Sequence, residues 1–199
     1  MRGFTDDERD RIRDGLVETG QELFTQYGLK KTTIAELTEP VGIAPSTFYQ
    51  FFDSKEELYA EILERESEEI VGPIMANSFE STDDPEEAIR QFLRLLLDEI
   101  ESNPLLRHVL VDGTAHEYVA RGTEAEKRAE REDELAQILP YVERWQEQGK
   151  IGDTDPTVVA SVIRAAVFIT LHQDDIGEDL YPDTRNLLID AVAAGLSDL

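Results

Sequence analysis

Apolar residues recur along the chain at spacings of three and four, which is the period of an α-helix that buries one face. The first such helix is predicted from about Thr5 to Tyr27, because Thr5 and Glu8 have the spacing of a capping box and Gly28 can end a helix in the left-handed conformation. Its apolar face carries Ile12, Leu16, Leu23 and Tyr27. Similar patterns continue to the end of the chain, so the sequence predicts an all-α protein.

Polar residues followed by proline mark the starts of later helices. These pairs are Asp84-Pro85, Asn103-Pro104 and Asp155-Pro156, and Pro182 begins the last helix. A charged helix from about Thr123 contains Pro140, which should kink it, and Gly149 should end it. The stretch VVASVIRAAVFITLH is apolar on nearly all sides, which predicts a helix buried from more than one direction.

Between residues 33 and 52 the pattern changes to two short helices joined by a tight turn. Thr33 and Glu36 have capping-box spacing, Gly42 supplies the turn, and Pro45 suits the first turn of the second helix. That second helix places Phe48 and Phe52 on one face and leaves Ser46, Thr47, Tyr49 and Gln50 off it. Two short helices around a glycine turn, with small polar and aromatic residues facing outward, are typical of a helix-turn-helix.

The segment TTIAELTEPVGIAPSTFYQFFDSKEELYAEIL resembles the DNA-binding signature of the TetR family of transcriptional regulators. The shared elements are the Thr-Thr pair, Ile34-Ala35, Gly42-Ile43, Thr47-Phe48-Tyr49, Phe52 and the run from Ser54 to Leu58. The chain differs from the usual family pattern at Pro40, Ala44 and Ser46.

The resemblance implies a three-helix DNA-binding domain at residues 1–55 and a larger helical effector-binding and dimerisation domain at residues 56–199. It also implies a homodimer that binds a roughly palindromic double-stranded DNA operator, most often as a repressor, under the control of an unknown small-molecule effector. In such proteins the last two helices of each subunit pair as a four-helix bundle. The apolar surplus of this chain fits that pairing, although a buried monomer core would show the same pattern. No cofactor is predicted.

The predicted DNA-contacting residues are Thr33, Ser46, Thr47, Tyr49, Gln50 and Lys55. A glutamine can bind the edge of adenine, and a threonine can bond a base or touch a thymine methyl group. By resemblance, Thr33, Tyr49 and Lys55 would hold backbone phosphates, which set the register of the protein on DNA. For each residue, the alternative is an ordinary solvated side chain.

Other basic residues are less specific candidates for phosphate contact. Arg9, Arg11 and Arg13 lie near the start of the first helix, but four aspartates surround them, so local charge balance is the preferred interpretation. Phosphate contact is more plausible for Lys30 and Lys31, which come just before the helix-turn-helix.

An effector would need an enclosed apolar pocket with a few polar groups in the C-terminal part of the chain. The first candidates to line it are Phe92, His108, His116, Tyr118, Trp145 and His172. A structural role in a core or interface is the preferred interpretation for each of them, and the sequence gives no ligand chemistry.

The chain is strongly acidic, with 19 basic and 44 acidic residues and a formal net charge of −25. Residues 1–55 carry 7 basic and 10 acidic residues, a net charge of −3, so the acidity is concentrated outside the helix-turn-helix. Only 5 of the basic residues are lysine. Such a surface resembles that of proteins from salt-in halophiles such as haloarchaea, where molar salt screens self-repulsion. The alternative is an acidic protein from an ordinary organism.

Several functional classes are disfavoured by what the sequence lacks. There is no cysteine, which excludes disulfides and thiol metal sites. The N-terminus is charged rather than apolar, and no apolar run reaches the roughly 20 residues of a membrane span, which predicts a soluble, cytoplasmic protein without a membrane partner.

No enzymatic activity is predicted, because the three histidines are scattered and no catalytic-triad, phosphate-loop or dinucleotide signature occurs. His172 with Asp174 and Asp175 could form a metal site, but ordinary surface is the preferred interpretation. The alternative function from another class is an acidic helical-bundle protein that binds a small molecule or lipid without DNA activity, and a catalytic helical bundle is a distant third.

Overall fold

A computed structural model describes residues 4–110 and 124–199, except for the side chains of residues 108–110, 124–127 and 130. Every regular element in these ranges is helical, which confirms the predicted all-α fold class. The chain divides into two compact units, Met1–Glu69 and Ile70–Leu199.

The first unit contains α1 (Asp6–Lys31), α2 (Ile34–Thr38), α3 (Pro45–Phe48) and the start of α4 (Lys55–Asn77). The second contains the end of α4, then α5 (Pro85–Ser102), α6 (Pro104–Leu110), α7 (Glu124–Glu147), α8 (Pro156–Ala166), a 3₁₀ segment (Val167–His172), α9 (Gln173–Ile176) and α10 (Tyr181–Ser197).

The start of α1 follows from its sequence, whereas its end differs from the prediction. The backbone amide of Glu8 donates to the Thr5 hydroxyl, and the Glu8 carboxylate accepts from the Thr5 amide, which completes the predicted capping box. Gly28 adopts φ 74°, but this residue kinks the helix, which then continues to Lys31. Tyr27, predicted on the buried face, is 49% exposed just before the kink.

The core of the first unit consists of side chains from all four of its helices. Its fully buried large residues are Leu16, Phe24, Leu37, Phe48, Phe52, Leu58 and Ile62. Phe24 and Tyr59 meet edge to face with ring centroids 5.0 Å apart. Helix α1 approaches α4 closely at Gly20, where an added Cβ would lie 2.8 Å from Cδ1 of Ile62.

The hydrophobic core of the second unit is formed by α5, α7, α8 and α10 together with Ile74 and Met75 at the end of α4 and Phe79 just after it. The backbone amide of Glu86 donates to Asp84 over 3.0 Å, so the predicted Asp84-Pro85 start of α5 is confirmed. Asp155-Pro156 likewise begins α8. Helix α7 runs through Pro140, and Gly149 adopts φ 65° just beyond its end.

The apolar stretch after Pro156 is not the single helix, buried from more than one direction, that we predicted. The α-helix ends at Ala166, a 3₁₀ segment follows, and α9 continues to Ile176. Val159 and Ile163 are buried in the core, whereas Val158 and Val162 are exposed. The stretch is therefore buried from one side only.

By length and composition alone, the 21 residues of Pro156–Ile176 are long and apolar enough to span a membrane. This differs from the expectation that no run reaches that length. Arg164 lies within the stretch, the α-helix is interrupted at Val167, and its buried residues belong to the core of the second unit.

Candidate nucleic-acid interface

Helix α2 and the turn after it are fixed by hydrogen bonds within the segment. The Thr33 hydroxyl accepts from the Glu36 amide over 3.3 Å, and the Glu36 carboxylate accepts from the Thr33 amide over 2.8 Å. The hydrogen bonds from the side chain and the backbone of Thr33 lower the pKa of Glu36. Gly42 then adopts φ 75°, and its amide donates to the carbonyl of Glu39 over 3.1 Å.

Helix α3 has only four residues, and turns extend it to Phe51. The amides of Phe51 and Phe52 both donate to the Phe48 carbonyl, over 2.9 and 3.1 Å. Phe48 and Phe52 are buried with ring centroids 5.7 Å apart, so they anchor one face of this short helix. Ala44 precedes the helix without a side-chain cap.

The outward positions of α3 lie where the sequence predicts them. Ser46, Tyr49 and Gln50 are exposed, and Thr47 is half-buried. Tyr49 is 57% exposed, and the edge of its ring meets Phe48 at a centroid distance of 5.7 Å. The buried phenylalanines therefore present a set of polar and aromatic side chains to the surface.

One surface cleft brings together the three residues that we predicted to hold phosphates. It has a volume of about 360 Å³, and Thr33, Tyr49 and Lys55 line it. Asp53 and Glu56 also line the cleft, so its charge is mixed. Ser46, Thr47 and Gln50 are not part of its lining.

The ammonium group of Lys55 has protein partners in this structure. Its Nζ donates to the carbonyl of Leu29 over 2.7 Å and to the carbonyl of Thr32 over 2.9 Å. These carbonyls lie at the end of α1, where helices leave backbone acceptors unpaired. Lys55 therefore ties the start of α4 to the end of α1, and its predicted phosphate contact stays a prediction.

Two α1 arginines contact the end of the α3 turn, which was not predicted from the sequence. The Arg9 guanidinium donates to the carbonyl of Gln50, and that of Arg13 donates to the carbonyl of Phe51. Their spacing of four on one helix was the available signal, because residues at i and i+4 share a face.

The candidate effector residues are found in different environments. Phe92 and Trp145 are buried in the core of the second unit, and both rings pack against Phe79, at 4.9 and 5.5 Å. His172 is exposed, with Nδ1 3.1 Å from the carboxylate of Asp175. His108 lies in α6, but its side chain is not described, and His116 and Tyr118 lie outside the described residues.

A small polar cavity of about 160 Å³ lies elsewhere in the second unit. Ile100, Glu101, Arg107, Thr170 and Gln173 line it, and none of these is a predicted effector residue. Among the residues that the structure describes, no three histidine or acidic side chains lie close enough together to hold a metal ion.

Comparisons with known proteins match the N-terminal part of the chain most clearly. Residues 16–62 match the family model described as bacterial regulatory proteins, tetR family. The chain is 42% identical over 48 residues to the HTH-type transcriptional regulator TcmR of Streptomyces glaucescens, which covers 24% of this chain and 21% of TcmR. It is 25% identical over 107 residues to the negative transcriptional regulator IcaR of Staphylococcus aureus (strain Newman), covering 54% of this chain and 57% of IcaR. These matches span at most 57% of the length of either relative.

Solved structures resemble almost the whole chain in fold. A TetR-family transcriptional regulator from Pectobacterium atrosepticum aligns over 97% of this chain and 94% of its own, with a TM-score of 0.70 and 22% identity. AibR, solved in complex with isovaleryl coenzyme A and operator DNA, aligns over 90% of this chain and 98% of its own, with a TM-score of 0.55 and 18% identity. The fold and the short helices on either side of Gly42 define an all-α protein with a helix-turn-helix. Residues 16–62 are thus similar to the TetR family model, and the chain shares its fold with the solved TetR-family structure.

Proposed function

We propose that this protein is a transcriptional regulator that binds a palindromic DNA operator as a homodimer and represses transcription until an effector binds. The observation that carries the proposal is the exposure of Tyr49 and Gln50 on a turn whose opposite face, Phe48 and Phe52, is buried in the core of the first unit. A rigid helix that presents such side chains after a glycine turn is the geometry of major-groove recognition.

Within this proposal, the predicted contact residues take two roles. Gln50 and Thr47, with Ser46, would contact base edges, because amide and hydroxyl groups can pair with them. Thr33 and Tyr49 would contact phosphates of the DNA backbone, and Lys55 lines the same cleft.

The second unit would provide dimerisation and effector control. Val158, Val162, Phe168 and Leu187 are large apolar side chains exposed on α8, the 3₁₀ segment and α10, and a partner subunit would cover them. AibR supports control by a ligand, since it was solved with both a coenzyme A ester and operator DNA. We further propose a non-enzymatic, cytoplasmic protein, with DNA-binding residues 1–55 and sensing residues 56–199.

The sharpest test replaces the exposed side chains of α3 without disturbing its core. An operator is first selected from a random duplex library, and fluorescence anisotropy then measures its affinity. Gln50→Ala is expected to weaken operator binding by about 1–3 kcal/mol, because one bidentate base contact is lost. Tyr49→Ala is expected to weaken it through a lost phosphate contact.

The matched control is Gln26→Ala, which removes an exposed glutamine of α1 in the same unit. It should leave both folding and affinity unchanged. Folded Gln50→Ala and Tyr49→Ala variants that bind the operator like the wild type would contradict the proposed interface. A wild-type protein that selects no DNA sequence would favour a helical bundle that binds only a small molecule or lipid.

The salt dependence of operator binding is expected to be shallow. Three of the seven basic residues in 1–55, namely Arg9, Arg13 and Lys55, donate to carbonyls or a carboxylate of the protein itself. Each neutralised phosphate adds about 0.9 to the slope of log Kd against log salt. We therefore expect a slope below about 4 per protomer across a potassium chloride series up to the molar range. A steeper loss of affinity would contradict this prediction, and a shallow slope would also fit the halophile-like surface.

A further inference from the structure

We propose that Arg9 and Arg13 are positioning residues that hold the end of the α3 turn in the orientation needed for sequence recognition. The proposal rests on the DNA-binding function proposed above. It assigns these arginines to the protein's own backbone, rather than to DNA phosphates, and makes operator specificity depend on them.

Arg9 contacts the turn twice. Its Nη2 donates to the carbonyl of Gln50 over 3.2 Å, and its guanidinium carbon lies 5.1 Å from the ring centroid of Phe51. A guanidinium within about 6 Å of a ring face adds a cation–π attraction to the hydrogen bond. Arg9 therefore holds the backbone of the residue whose side chain we expect to contact a base.

Arg13 lies one helical turn further along α1 and makes the same two kinds of contact, each one residue further along the α3 turn. Its Nη1 donates to the carbonyl of Phe51 over 3.3 Å, and its guanidinium carbon lies 4.6 Å from the ring centroid of Phe52. Its Nη2 also pairs with the carboxylate of Glu61 on α4. Arg13 thus joins α1, the α3 turn and α4 within the first unit.

These contacts matter because α3 has little stability of its own. A helix of four residues is far shorter than the length at which helices persist alone, so outside contacts must fix its direction. Phe48 and Phe52 anchor its buried face, but the last carbonyls of the turn lie beyond its internal hydrogen bonds. The two guanidinium groups donate to those carbonyls, and charged donors form the stronger kind of hydrogen bond.

Direct phosphate contact by the same arginines makes a different prediction. A phosphate contact strengthens binding to every DNA sequence about equally and contributes to the salt slope. A positioning contact affects the operator much more than an unrelated duplex, and it leaves the salt slope unchanged. Specificity and salt slope together therefore distinguish the two roles.

The experiment compares Arg9→Gln, Arg13→Gln and the control Arg11→Gln, which removes an equal charge from an exposed residue between the other two. Kd is measured for the selected operator and for a scrambled duplex of equal length across a salt series. Thermal unfolding followed by circular dichroism monitors the fold. We expect Arg9→Gln and Arg13→Gln to lower the operator-to-scrambled affinity ratio by about tenfold with unchanged salt slopes, and Arg11→Gln to preserve the ratio.

Two results would overturn the proposal while leaving the DNA-binding function intact. One is an unchanged affinity ratio in both variants. The other is an equal loss on both duplexes with a slope reduced by about 0.9 per phosphate contact, which would assign the arginines to DNA. If Arg13→Gln lowers thermal stability, Arg9→Gln decides the outcome, because it removes only exposed contacts. A wild-type protein with no preference for any duplex would overturn the proposed function and this inference together.

Discussion

Replacing Phe48 with alanine is expected to lower the free energy of unfolding of the first unit by about 3–5 kcal/mol. Phe48 is fully buried, and its ring packs on Phe52 and Tyr49. A unit of this size has a total stability on the order of 3–10 kcal/mol. The variant should therefore unfold its first unit to a large extent and lose operator binding.

Hydrogen exchange measured by mass spectrometry tests this prediction, because it reports on the two units separately. Peptides from residues 4–69 should lose protection in Phe48→Ala, whereas peptides from α5 should keep it. Tyr27→Ala is the matched control, since Tyr27 is an exposed aromatic residue of the same unit and surface substitutions change stability by about 0.5 kcal/mol or less. An equal loss of protection in Phe48→Ala and Tyr27→Ala would contradict the role of Phe48 in stabilising the first unit.

The sequence allowed good predictions wherever structure is set by neighbours a few residues apart. The capping boxes at Thr5 and Thr33, the glycine turn at Gly42 and the start of α5 at Asp84 each depend on residues within four positions. The helical period then placed Phe48 inward and Tyr49 outward on the same short helix. These local signals are why the all-α class and the match of residues 16–62 to the TetR family model could be predicted.

Contacts between distant residues could not be predicted in this way. Lys55 reaches carbonyls 26 and 23 positions away, and Arg13 pairs with Glu61 48 positions away. A charged side chain that has such a partner looks the same in sequence as one that faces water or DNA. Lys55 is an example, because the sequence predicts a phosphate contact whereas its ammonium donates hydrogen bonds to two carbonyls of the protein in this structure.

The apolar stretch after Pro156 shows a second limit of sequence patterns. Its composition predicts burial from more than one direction, but the fold buries Val159 and Ile163 and exposes Val158 and Val162. Composition does not show whether an apolar face is covered by the same subunit or by a second one, so a monomer core and a dimer interface give the same pattern. This is why the homodimer stays a proposal that rests on exposed apolar side chains.

Replacing Trp145 with alanine is expected to lower the free energy of unfolding of the second unit by about 3–5 kcal/mol. Trp145 is fully buried and packs on Phe79, which in turn contacts Phe92 and Tyr141 at centroid distances of 4.9 and 5.0 Å. The alanine variant would leave a large cavity in this aromatic cluster, with the loss of many dispersion contacts. Urea unfolding followed by circular dichroism measures the effect.

Trp145→Phe is the matched variant that distinguishes the contribution of apolar packing from that of the indole N–H. The indole N–H is buried and finds no acceptor among the residues that the structure describes, and a buried donor without a partner is unfavourable. Phenylalanine removes that donor and keeps most of the apolar contact, so the expected loss is smaller than that of Trp145→Ala. A loss as large as that of Trp145→Ala would contradict the assignment of the stability to the apolar contacts that phenylalanine keeps.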